Sequence, residues 1–118
     1  MNHNINIKVY ENNILLSATD TNCLIEDNFL SYNTDSDNIR INLKDFSFTK
    51  ENVESILKIT KEKCTLTLKE IKQSMDIPLD YINYTFENNK NVYLEYKLIS
   101  QDFPLKIILE IGDEKDEI

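Results

Sequence analysis

Glycine is almost absent from this chain of 118 residues: Gly112 is the only one, and His3 is the only histidine. Phosphate-cradling loops need backbone at positive φ and close approach to the ligand, which glycine permits without steric cost. Neither a nucleotide-binding P-loop nor a dinucleotide fingerprint can therefore be written here. His3 lies where chains commonly fray, so an oriented general base or metal ligand is not expected of it. The two cysteines, Cys23 and Cys64, are far apart and have no histidine beside them, which leaves neither a zinc site nor a redox pair. Both read as small buried apolar residues. No apolar run approaches the roughly 20 residues that span a bilayer, so no membrane partner is expected. Met1-Asn2-His3-Asn4 lacks the basic start and apolar core of a signal peptide, and the expected compartment is intracellular.

The chain does have alternation. Hydrophobic residues make up 41% and charged residues 29%, the balance of a folded domain large enough to bury a core without disulfides or metal. Ile5, Ile7 and Val9 alternate with polar neighbours, and Asn12-Asn13 then supplies a turn before Ile14, Leu15 and Leu16. Asparagine tolerates left-handed backbone better than other side chains and can stand in for glycine in such turns. Further strands are read around Cys23 to Tyr32, Ile39 to Leu43, Cys64 to Lys69, Tyr81 to Phe86, Val92 to Leu98 and Leu105 to Ile111. Asn88-Asn89 marks a turn, Pro78 interrupts any helix at Glu70 to Met75, and Pro104 precedes the last strand.

Between the strands, Lys50 to Lys61 reads as a helix. Thr49 is its N-cap and Glu51 sits in its first turn; Val53, Ile56, Leu57 and Thr60 share one face, and Lys50, Glu54, Lys58 and Lys61 form a neighbouring stripe. The fold expected is α+β, a mostly antiparallel sheet with one principal helix. Residues 1–112 are read as a single domain and residues 113–118 as a charged, solvated tail.

Charge is unevenly spread. The total is −8, but residues 1–37 carry one lysine against six acids, −5; residues 38–72 carry eight basic groups against five acids, +3; residues 73–118 carry four against ten, −6. Asp35 and Asp37 lack the glycine and closing glutamate of a calcium loop and read as solvated loop residues. Neither Ser17 nor Cys23 has a histidine partner for nucleophilic catalysis. No catalytic residue, metal site or cofactor is assigned.

Ile14-Leu-Leu-Ser-Ala-Thr-Asp20-Thr-Asn-Cys-Leu-Ile25 resembles a strand–turn–strand pattern of eukaryotic and archaeal DNA sliding clamps. The order that follows is similar too: Ile39 to Leu43, the helix Lys50 to Lys61, the strand Cys64 to Lys69, and the closing Phe103-Pro-Leu-Lys-Ile-Ile-Leu-Glu-Ile111-Gly-Asp113. Thr49 to Ile59 looks like the heterotrimeric checkpoint clamp, a relative of proliferating cell nuclear antigen. The resemblance covers about one clamp domain. It implies a non-enzymatic module of DNA replication or repair that joins other subunits in a ring around duplex DNA, nuclear if the source is eukaryotic. Lys50, Lys58 and Lys61 would then face the DNA backbone without reading sequence. The residues also allow a different expectation, a small acidic inhibitor or immunity-type protein. Its two acidic flanks would cap the basic site of a nucleic-acid-binding enzyme.

Overall fold

The computed structural model describes residues 1–114 and is all-β, which corrects the α+β expectation: there is no helix among the described residues. Eleven strands follow one another: β1 (Asn2–Glu11), β2 (Ile14–Glu26), β3 (Phe29–Asn33), β4 (Asn38–Asn42), β5 (Ser47–Glu51), β6 (Ser55–Thr60), β7 (Cys64–Leu68), β8 (Gln73–Ile77), β9 (Leu79–Glu87), β10 (Asn91–Leu98) and β11 (Leu105–Glu114). They divide between two compact units. One comprises Met1–Cys23 and the chain from Leu79 onward, the other Leu24–Pro78.

The segment read as a helix is two strands, β5 and β6, around a tight turn. Two local causes defeat helix formation. The Asn52 side-chain oxygen accepts hydrogen bonds from the backbone N–H groups of Glu54 and Ser55, both at 2.9 Å, while the Asn52 backbone N–H donates to the Ser55 carbonyl at 3.0 Å. An asparagine that satisfies the backbone in this way competes directly with helical bonding. The segment is also rich in β-branched residues, Thr49, Val53, Ile56, Ile59 and Thr60, which favour a pleated surface. The helical reading placed Val53 on the buried face, yet it is 91% exposed at the turn. Ile59, left off that face, is 0% exposed and pairs across the ladder with Phe48, itself 2% exposed. Thr49 caps no helix; it pairs with Arg40 on one side and Lys58 on the other.

In the second unit the strands run in sequence order, β3 to β8, each antiparallel to the next, with the end of β2 pairing β3 through Leu24, Ile25 and Glu26. Leu30, Tyr32, Ile39, Ile41, Leu43, Phe46, Phe48, Ile59 and Cys64 are its buried side chains. Consecutive antiparallel strands need only short turns, and the sequence supplies them. Asp27 and Asn28 adopt φ of 50° and 70° between β2 and β3, dividing the strand region expected around Cys23 to Tyr32.

In the first unit the order is β2, β1, β11, β10, β9. Asn12 and Asn13 turn at φ 50° and 63°, and Asn88 and Asn89 at 56° and 51°, so asparagine does fill the place of glycine at both expected turns. One face of this sheet is apolar and buried: Ile5 and Ile7 of β1, Val92, Leu94, Tyr96 and Leu98 of β10, Ile107, Leu109 and Ile111 of β11. Asp113 and Glu114, assigned to the tail, are the last residues of β11 and are exposed. The remainder of the expected tail, 115–118, lies outside the described residues. No charged or polar residue is buried among the described residues. Cys23 and Cys64 are both buried with free thiols, as their spacing led one to expect. Burial pushes the Cys23 thiol up to about 11 and raises that of Cys64 as well.

A candidate acidic docking face

Side chains alternate across a strand, so the buried residues of the first unit fix what lies on its other face. Directly paired residues share a face, and the register lines up Glu87 of β9 with Asn91 of β10, Asn91 with Glu110 of β11, and Glu110 with Asn6 of β1. Asn6 then donates from Nδ2 to Oδ1 of Asp20 on β2 at 2.8 Å. The result is a transverse row, acid, amide, acid, amide, acid, across all five strands of the unit. Strands lie about 4.8 Å apart, so successive carboxylates in the row are roughly 10 Å from one another. That is close to a Debye length at physiological salt, and the three charges coexist with little mutual repulsion. Glu87, Glu110 and Asp20 are all exposed.

A polar cleft of about 670 Å³ opens along the β2 side of this row, lined by Asn4, Asn6, Asp20, Thr21, Asn22 and Glu110 together with the backbone around Ile5 and Gly112. Its floor has a specific cause. The β1–β11 ladder slips by one residue between His3 and Ile5, and at the slip Gly112 lies against Asn4, where an added Cβ would meet the Asn4 Cβ at 3.1 Å. A side chain there would fill the floor. His3, the only histidine, is tied down beside it through Nδ1, 3.1 Å from the Gly112 carbonyl oxygen.

One cation sits at the row. Lys90 approaches Glu110 at 3.6 Å, but both side chains are more than half exposed, and such a pair contributes little to stability. The next rows of the same face are mixed: Thr85, Tyr93, Ile108 and Lys8, then Asn83, Glu95, Lys106 and Tyr10. Lys106 lies 4.8 Å above the Tyr10 ring and donates to Asn13 at 3.3 Å. Desolvation first, and then the Glu95 carboxylate, raise the Tyr93 and Tyr81 phenols above their ordinary range. Both tyrosines stay neutral donors on that face.

The three lysines expected to face DNA are not brought together as a stripe. Lys50 pairs with Leu57, and Lys58 with Thr49 and Thr65, which puts Lys50 on the same face of the sheet as Phe48 and Lys58 on the opposite one. Lys50 is 3.8 Å from Asp37. Lys61 lies in the turn after β6. The common surface that a helix would have given them does not exist. Asp37, read as a solvated loop residue, is instead part-buried: it accepts from Asn52 Nδ2 at 3.2 Å and helps to set the loop between β3 and β4. Sequence reasoning missed the acid–amide row. Asn6 and Glu110 were legible as polar neighbours of buried positions, Glu87 fell just beyond the strand read as Tyr81 to Phe86, and only the strand register aligns the three.

Among the described residues no group of three or more histidine, cysteine or acidic side chains is arranged to hold a metal ion. No helix is long and apolar enough to cross a membrane. A comparison with known protein families, curated proteins and solved structures finds no match.

Proposed function

We propose that this chain is a non-enzymatic acidic docking module, and that the acid–amide row of its first unit receives lysine and arginine side chains from a basic protein surface. The observation that carries the reading is the alignment of Glu87, Glu110 and Asp20 through Asn91 and Asn6. Regularly spaced carboxylates present an anionic line to a cationic partner, and the intervening amides add donors and acceptors that fix register without adding charge. The sequence of this unit carries five basic residues against eleven acids, −6, while Leu24–Pro78 carries eight against ten, −2. The charge that steers association is therefore concentrated where the row is. The reading favours an inhibitor-type role, in which the row caps a basic site that would otherwise hold nucleic acid. A clamp-like role in a ring around DNA is left without the lysine-bearing helix on which it rested.

The test uses an oligoarginine peptide as the basic probe, titrated at low and physiological salt. The variant Asp20→Asn, Glu87→Gln, Glu110→Gln is compared with a control of equal net charge, Glu54→Gln, Glu62→Gln, Glu70→Gln. The row variant is expected to bind at least tenfold more weakly, about 1.4 kcal/mol, and the control much less. Equal weakening in the two variants assigns the binding to net charge alone and rejects the row.

A further inference from the structure

The first unit has an edge that is not protected in the usual way. From Ile14 to Asp20 every residue of β2 is exposed, Ile14 at 64%, Leu15 at 50% and Leu16 at 56%. β1 flanks this stretch on one side. Its other neighbour in the sheet is β3, paired at Leu24, Ile25 and Glu26, and within the first unit no strand pairs with Ile14–Asp20 on that side among the described residues. Alternate N–H and C=O groups of such an edge point outward and template a further strand. The two terminal strands of the molecule are blunted by the usual devices. β8 carries Asp76 and is bounded by Lys72 and Pro78; β9 begins directly after Pro78 and carries Asp80 and Glu87. Between Asn12 and Thr19, β2 has no charge, no proline and no glycine.

We infer that this edge pairs with the same edge of a second copy of the chain, β2 against β2 antiparallel, with Ser17 at the two-fold axis. The segment is complementary to itself in that register. Ser17 faces Ser17, Leu16 faces Ala18, Leu15 faces Thr19 and Ile14 faces Asp20, so each larger side chain meets a smaller or polar one and no two charges of one sign are opposed. Paired residues share a face, and the two sheets join with their outer faces on one side. The acid rows of both copies, each ending at Asp20, then point the same way. A two-fold contact of this kind closes on itself and leaves no free β2 edge for further growth.

Ser17→Cys places a single accessible thiol at the axis, because Cys23 and Cys64 are buried. Sedimentation of the wild-type chain up to about 1 mM is expected to show a dimer. A short bis-maleimide linker is expected to lock Ser17→Cys covalently, since directly opposed Cβ atoms lie about 5 Å apart, a span that such a linker bridges more readily than a disulfide. Leu15→Lys with Leu16→Lys, at positions already exposed, is expected to weaken the dimer at least tenfold with circular dichroism unchanged. A wild-type chain that stays monomeric overturns the proposal and leaves the edge to a strand from a different protein. A dimer that persists in the double-lysine variant, or that Ser17→Cys fails to lock, places the contact elsewhere and overturns it equally.

Discussion

Gly112 and Asn4 approach so closely that a Cβ built on the glycine would lie 3.1 Å from the Asn4 Cβ and 3.2 Å from its carbonyl oxygen. Since φ at Gly112 is not positive, what favours glycine here is close approach and not backbone conformation. Gly112→Ala is expected to cost roughly 1–2 kcal/mol, the range of a modest overpacking, and to disturb the β1–β11 slip that floors the cleft. Urea unfolding measures the first, and amide chemical shifts of Asn4 and Asp113 the second. A stability equal to wild type would show that Asn4 moves aside freely.

Asn52 replaces a helix by a turn through two backbone donors and also holds Asp37. Asn52→Ala leaves those groups to solvent, and a loss of about 1–2 kcal/mol is expected by denaturant titration. The far-ultraviolet spectrum of the variant is expected to remain that of a β protein, because Phe48 and Ile59 still pair across β5 and β6. A gain of helical signal would instead show that Asn52 alone decides between the two conformations.

Lys72 is the one residue other than asparagine or aspartate at positive φ among the described residues, at 50°. A left-handed conformation costs an ordinary side chain about 1–2 kcal/mol, of which the entropy of an added glycine returns part. Lys72→Gly is therefore expected to raise stability by roughly 0.5–1 kcal/mol. A matched Asn28→Gly change, at a residue already suited to its φ of 70°, is expected to gain less. The two midpoints in urea decide the comparison.

Alkaline pH is expected to destabilise the chain. Burial raises Cys23 from near 9 to about 11 and Tyr84 from near 10 to about 12, and raises Cys64 too. Each group keeps its proton in the folded state beyond the pH at which the unfolded chain releases it. Stability is therefore full below about pH 9 and falls as pH rises through the folded values. Cys23 alone accounts for roughly 2–3 kcal/mol of that fall, at 1.36 kcal/mol per pKa unit. Unfolding free energies at pH 8 and pH 11, with Cys23→Ala as the comparison, test it: the variant should show a shallower slope. A profile flat with pH would mean that the thiols ionise in place.

Much of the strand content could be read from the sequence, because period-two alternation is a direct consequence of one buried face. Ile5 and Ile7, Ile39 and Ile41, Val92 to Leu98, and Ile107 to Ile111 were all legible for that reason, as were the Asn12-Asn13 and Asn88-Asn89 turns. The error at Lys50 to Lys61 arose where two short strands and their turn placed apolar residues at intervals of three and four by coincidence, Val53 with Ile56 and Leu57. Only the partner strand shows that Phe48 and Ile59 form the buried pair. The acid–amide row was hidden for a related reason. Glu87 and Asp20 are 67 positions apart in sequence, and register is a property of pairings between strands that no single strand encodes.

The ladder joining His3 to Glu114 has a bearing on how the chain is made. In Leu24–Pro78 each strand pairs with its immediate neighbour in sequence, so every closure spans a short loop and carries a small entropic cost. Such local contacts form quickly. β1 leaves the ribosome before its partner β11, with nine strands between them. While those strands are made, one side of β1 has no partner strand, with Ile5 and Ile7 awaiting Leu109 and Ile111. That interval, and not the finished fold, is when the chain is most exposed to association with the wrong partner.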